Sequence, residues 1–179
     1  MHDLMLDLET YGTRPGCIIR SVGAVMFDPY DPPGQVGKTF YANVARDDQE
    51  KLGLTVSEST DKWWLLPKQA TANKMLLENQ MPVKQVVGDF IDFWRARGAR
   101  RVWSQGANFD DPIMTAVIEA CGLDVPWKFW DSRCTRTAYA IGGLNFHTIK
   151  RVGTAHNALD DAVHQAKCVQ MAHANLRGK

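Results

Sequence analysis

Between His2 and Glu9 the chain alternates, with Leu4, Leu6 and Leu8 set against Asp7 and Glu9. Successive side chains of an extended segment point to opposite faces, so this run predicts a strand with Leu6 and Leu8 turned to a core. Asp7 and Glu9 then project together on the other face. Few folds accommodate such a strand. Two like charges this close repel unless a cation sits between them, and oxygen donors of this hardness suit magnesium or manganese rather than zinc. The fold must therefore bury the leucine row and still bring compensating groups to the carboxylate face.

The 179 residues fit one domain, residues 1–179, with enough chain to bury a core without disulfides. Apolar residues at 45% and charged residues at 23% are globular proportions, and no apolar stretch approaches a membrane span. Neither a basic leader nor an apolar leader segment is readable at the N-terminus, so a cytoplasmic setting is expected. Cys17, Cys121, Cys134 and Cys168 are scattered rather than paired as in zinc sites, and are expected to act as small apolar fillers. The formal net charge of +1 argues against a broad duplex-binding stripe. It leaves room for a protein that grips a strand end with few phosphate contacts of its own.

Three β-rich runs, His2 to Glu9, Ser21 to Asp28 and about Lys38 to Val44, are separated by Gly, Pro and Asp clusters and read as a meander. A helical middle follows, with Ser59 or Thr60 as cap before Asp61 to Leu66. Met81 to Arg97 carries Val83, Val86, Val87, Phe90, Ile91 and Trp94 at helical spacing until Gly98 stops it. Arg101 to Ser104 reads as a short buried strand. Asp111-Pro112 opens a helix through Glu119, Asp131 to Ile141 reads as helical, and a last helix runs from about Ala158 to Ala174. This order predicts an α/β fold with helices flanking a mixed sheet.

Two further acidic clusters each contain a choice. In Asn108-Phe109-Asp110-Asp111-Pro112, the residue before proline is pushed out of helical geometry, so Asp111 is expected to be the N-cap. Asp110 is left free at a strand-to-helix corner, where α/β sheets tend to place ligand groups. In His156-Asn157-Ala158-Leu159-Asp160-Asp161, Asn157 is the expected cap and Asp160 its partner, bonding back to it. Asp161 then lies on another side, beside Ala158 and Ala162, which let the helix approach the sheet and Asp161 reach Asp7 and Glu9. His156, just outside the helix and partly exposed, suits a general base.

These segments resemble the motifs of the DEDDh exonucleases, which include polymerase proofreading subunits and oligoribonucleases on a ribonuclease-H-like fold. Asp7-Leu8-Glu9-Thr10 is similar to the first motif, Asn108-Phe109-Asp110 to the second and His156 through Ala162 to the third, in the same order across nearly the whole chain. Ser21 to Val25 and Lys62-Trp63-Trp64 are most similar to a compact bacterial and phage branch that includes ribonuclease AS. The resemblance implies that Asp7 bridges two Mg²⁺ or Mn²⁺ ions, that Glu9 and Asp161 complete one site, and that Asp110 holds the other. His156 would deprotonate the attacking water, so that nucleoside monophosphates leave from a 3′ end. His156 also sets the chain apart from the sister subfamily, which has a tyrosine there.

Leu8, Thr10 and Tyr11 abut this cluster and are candidates to hold the terminal sugar, with Asn108 beside them. Trp63 and Trp64 would point about 100° apart on a helix, so one is expected in the core and the other is free to stack on a base. Lys150 and Arg151 are candidates for a phosphate or for solvated loop charges. The expected partner is the 3′ end of RNA or DNA, a choice these residues leave open. The resemblance also implies a homodimer, for which Trp94, Trp103, Trp127 and Trp130 offer either apolar surface or core. A second reading is a catalytically degenerate, nucleic-acid-binding copy of the same fold, against which the intact acid set argues.

Overall fold

A computed structural model describes residues 1–106 and 108–178. Strands β1 (Asp3–Thr10), β2 (Ile19–Phe27) and β3 (Val36–Asn43) form the expected meander. Short helices α1 (Asp47–Lys51), α2 (Glu58–Trp64) and α3 (Ala70–Met75) follow, then α4 (Val83–Ala96), β4 (Arg101–Ser104) and α5 (Asp110–Ala120). The chain continues through β5 (Ser132–Cys134), α6 (Thr135–Gly142) and α7 (Ala158–Arg177). The sheet order is β3-β2-β1-β4-β5, with β1 to β3 antiparallel and β4 and β5 running parallel to β1. This is the mixed, helix-flanked sheet that the element order predicts.

Both faces of the sheet are covered, and β1 shows how. Leu4, Leu6 and Leu8 join Val22, Ala24, Val86, Phe90, Ile113 and Val117 in a core beneath α4 and α5. All six apolar positions expected of α4 are buried, each contributing roughly 1.5–3 kcal/mol by leaving water. On the opposite face Met5, Val25 and Phe27 pack with Trp103, Tyr139 and the small residues Ala162, Ala166 and Ala172 of α6 and α7. Asp7 pairs with Gly23 of β2, and a Cβ at Gly23 would overlap the main chain of Ala158 and Leu159. The N-terminus of α7 thus lies directly on β2 beside Asp7, because a glycine leaves the space.

The structure corrects several local expectations. Residues 131–141 are not one helix: after a 3₁₀ turn at Phe129–Asp131 comes β5, paired with β4 through Val102↔Ser132 and Ser104↔Cys134, before α6 begins. Asp111 lies inside α5 rather than capping it, and its carboxylate accepts hydrogen bonds from Trp127 Nε1 at 2.9 Å and from the Ser132 hydroxyl. It is structural, but as a tie between α5 and the β5 segment. The α2 helix starts at Glu58, so Ser59 and Thr60 are inside it. Trp94, Trp103 and Trp127 are buried, leaving only Trp130 of the four tryptophans exposed, beside Phe129. Cys17, Cys121 and Cys168 are buried and without disulfides. No described helix is long and apolar enough to cross a membrane.

Candidate active site

β1 delivers Asp7 and Glu9 to the α7 side of the sheet, where both carboxylates are buried. From α7 come Asp161 and, one turn later, Gln165, whose Nε2 donates to Asp7 Oδ1 at 2.6 Å. Asn157 caps this helix as expected, accepting from the amides of Leu159 and Asp160 at 3.1 Å each. Asp160 does not bond back to the cap; its carboxylate accepts from the Thr154 amide at 2.7 Å and so ties down the loop that precedes it. In that loop His156 adopts φ +62°, a left-handed conformation uncommon outside glycine, and its amide donates to Asp161 Oδ2 at 3.3 Å.

Asp110, the first residue of α5, is 2% exposed and accepts from the Leu8 amide at 3.1 Å. The parallel pairing of β1 with β4 runs from Asp3↔Arg101 to Met5↔Trp103. Beyond that point the side chain from α5, rather than a strand, meets the β1 amide. Three distant segments thus converge on one cleft of about 620 Å³ lined by Asp7, Glu9, Asp110, Asp161 and His156, a size that suits a nucleotide-sized ligand. Oxygens of Glu9 and Asp161 and a ring nitrogen of His156 lie within 4.8 Å of one another.

Charge is the dominant fact of this cleft. Burial, then the Asp110, Glu9 and Asp161 carboxylates, hold the Asp7 carboxyl well above its usual range, opposed by the Gln165 hydrogen bond. Burial followed by repulsion from Asp161 and Asp110 pushes Glu9 up to about 8, and burial raises Asp110 to about 7. Asp161 is also raised by burial, although the Arg151 guanidinium pairs with it and works the other way. His156 is lowered, first by burial and then by Arg151 and Lys68, which favours a neutral imidazole. A hard divalent cation among these oxygens would offset both the desolvation and the mutual repulsion, so the donor set fits Mg²⁺ or Mn²⁺.

Of the remaining candidates, Leu8, Thr10, Trp63, Trp64 and Asn108 line the cleft. The two tryptophans pack edge to face with centroids 4.9 Å apart, and both reach the cleft, where a simple helical wheel would place one. Trp64 is fixed, buried with its Nε1 donating to Thr10 O at 2.8 Å, whereas Trp63 is partly exposed with its ring 5.0 Å from that of His156. Tyr11 does not line the cleft. Its ring lies against the buried Arg20 guanidinium, 4.5 Å away, and Trp64 covers Arg20 at 4.3 Å. Gln165, Arg136 and Gln105 also line the cleft and were not singled out from the sequence. For Gln165 the signal was there, since four residues after Asp161 is the same helix face.

A five-stranded mixed sheet with its acidic cleft beyond the parallel strand ends defines a ribonuclease-H-like nuclease fold. The Rv2179c-like 3′-5′ exoribonuclease domain matches residues 2–173, and the chain belongs to this family and, with it, to the DEDD-type 3′-5′ exonucleases. An exodeoxyribonuclease of Enterobacteria phage T4 is 28% identical over 167 residues, covering 76% of this chain and 70% of the relative. Solved structures of E. coli exonuclease I share the fold. The zinc-bound complex with single-stranded DNA matches with a TM-score of 0.67 at 14% identity, covering 96% of this chain and 40% of that one. The complex with a 5cy-dA13 oligonucleotide matches at 0.64 and 12%, with the same coverage. The chain therefore spans 40% of the length of these exonuclease I chains, and at such identity the likeness speaks for the fold alone.

Proposed function

We propose that this protein is a divalent-metal-dependent 3′-5′ exonuclease that hydrolyses the terminal phosphodiester of a single-stranded or overhanging RNA or DNA end and releases nucleoside 5′-monophosphates. The observation that carries the reading is the convergence of Asp7, Glu9, Asp110 and Asp161 with His156 in one cleft. Asp7 would bridge two Mg²⁺ or Mn²⁺ ions, Glu9 and Asp161 would complete one site, and Asp110 would hold the other. Ions held there would supply a water of lowered pKa and offset the charge that develops on the phosphate.

The chain's own groups do the rest. His156, neutral and half-buried beside Glu9 and Asp161, accepts the proton of the attacking water. Gln165 occupies one oxygen of Asp7 and thereby fixes the carboxylate's rotation. Trp63, partly exposed on the His156 side, offers a face on which the terminal base stacks, a contact that tolerates any base. Trp64 and Thr10 stiffen that wall.

Incubation of the protein with 5′-labelled RNA and DNA oligomers of one sequence, with and without overhangs, tests the reading. Stepwise shortening in Mn²⁺ that stops with chelator is the expected result. A mobility shift without shortening would instead favour the binding-only copy. His156→Ala is expected to slow turnover by about 10²–10⁴-fold while Mn²⁺ still binds in calorimetry. Turnover equal to wild type across pH would remove His156 from the mechanism.

A further inference from the structure

A polyanionic strand must approach a cleft that already holds four carboxylates, so the fate of each nearby cation matters. Arg20 is buried between Tyr11 and Trp64 and does not line the cleft. Arg151 lines the cleft but is committed to Asp161. Arg136, the other arginine in the lining, is exposed and makes no hydrogen bond or ion pair among the described residues. Its guanidinium lies over Gly106, 3.6 Å from where a Cβ would stand, and it acts electrostatically on Asp110.

The topology says where along a strand such a group would act. Arg136 is the second residue of α6, just past the carboxyl end of β5, in a sheet ordered β1-β4-β5. Two strand spacings, roughly 10 Å, separate its backbone from that of Asp7 and Glu9. Trp63 and His156 pack against each other and against Trp64, which bonds to Thr10 of β1 and covers Arg20 of β2, and β2 lies on the other side of β1 from β5. A strand held with its scissile phosphate among the carboxylates and its last base at Trp63 would leave by the Asp110 side, across Arg136. Guanidinium is planar and permanently charged, and it grips a phosphate with two parallel hydrogen bonds.

Resting on the exonuclease reading above, we propose that Arg136 binds a backbone phosphate of the substrate strand next to, and distinct from, the one being cleaved, and so positions the strand for attack. It is a positioning residue. Its loss weakens hold on the strand and leaves the four carboxylates and His156 in place.

Fluorescence anisotropy of a labelled single-stranded oligonucleotide, in Ca²⁺ under conditions where gels show it uncleaved, provides the test. Arg136→Ala is expected to weaken binding roughly fivefold to twentyfold and to reduce the slope of log K against log salt by about 0.7, one phosphate contact on a single strand. Arg136→Lys should recover the slope. Uncharged methylphosphonates placed singly along the 3′ end then locate the contact. One position should cost wild type as much as the Arg136→Ala change does, and should cost the variant nothing further. Additive losses at every position, or an unchanged salt slope, would overturn the assignment of Arg136 while leaving the nuclease reading standing. No binding by the wild-type chain at any salt would overturn both.

Discussion

The two faces of the sheet are built by opposite means. Under α4 and α5 the contact is made by large branched and aromatic side chains, Leu4, Leu6, Val86, Phe90 and Ile113, meeting across a conventional core. Under α7 it is made by small ones: Ala158 rests on Gly23, Ala162 and Ala166 follow, and the space so gained is occupied by Asp7, Glu9, Asp161 and Gln165. One face is tuned for burial. The other accepts weaker packing and crowded charge so that side chains from β1 and α7 can meet.

That contrast can be broken from either side. The largest effect is expected for Asp7→Asn, which keeps the size of a buried side chain but removes the shared charge; turnover should fall by about three orders of magnitude or more, with the fold intact by circular dichroism. Next is Phe90→Ala, expected to cost about 3–5 kcal/mol in urea unfolding while the folded protein still binds Mn²⁺. Gly23→Ala tests the small-residue face. The added methyl runs into the Ala158 main chain, so about 1–3 kcal/mol of destabilisation is expected, accompanied by weaker Mn²⁺ binding as α7 shifts from β1. Equal Mn²⁺ affinity in Phe90→Ala and Gly23→Ala would dissolve the distinction between the faces.

The smallest expected effect is on stability against pH. Asp7, Glu9 and Asp110 bind their protons more tightly in the folded chain than the ordinary carboxylate does. The stability this provides is complete below the usual carboxylate range and is lost as pH rises through about 8, the Glu9 value. In chelator, the melting temperature should therefore drop between pH 5 and 8.5. Mn²⁺ should restore more of it at the upper end. A flat metal-free profile would show that the carboxylates are less crowded than the structure indicates.

How legible each face was in the sequence follows from the same contrast. Large apolar residues at period 3.6 or 2 announce themselves, so β1, β2 and the buried side of α4 could be read directly. Of the site, the acids and His156 were legible because three short segments each carry an acidic or histidine signature and occur in order. Their supports were not. β5 has three residues, too few to show any period, and its pairing with β4 is what places Arg136 at the cleft. Asp111 looked like a cap because Pro112 follows it, whereas its real partners, Trp127 and Ser132, are fixed only by the packed fold. Tyr11 is adjacent in sequence to the acids but is drawn away by Arg20, a buried cation whose place only three dimensions reveal.

Asp161 comes from α7, the last element of the sheet's cover, while its partners begin seven residues into the chain. On the exonuclease reading, β1 and α5 alone carry an incomplete and inert hydrolytic centre, because Asp161 and His156 arrive only with α7 and the loop before it. Hydrolysis would then start only once α7 docks on β2 at Gly23, so a partly folded chain would be harmless to any strand it meets.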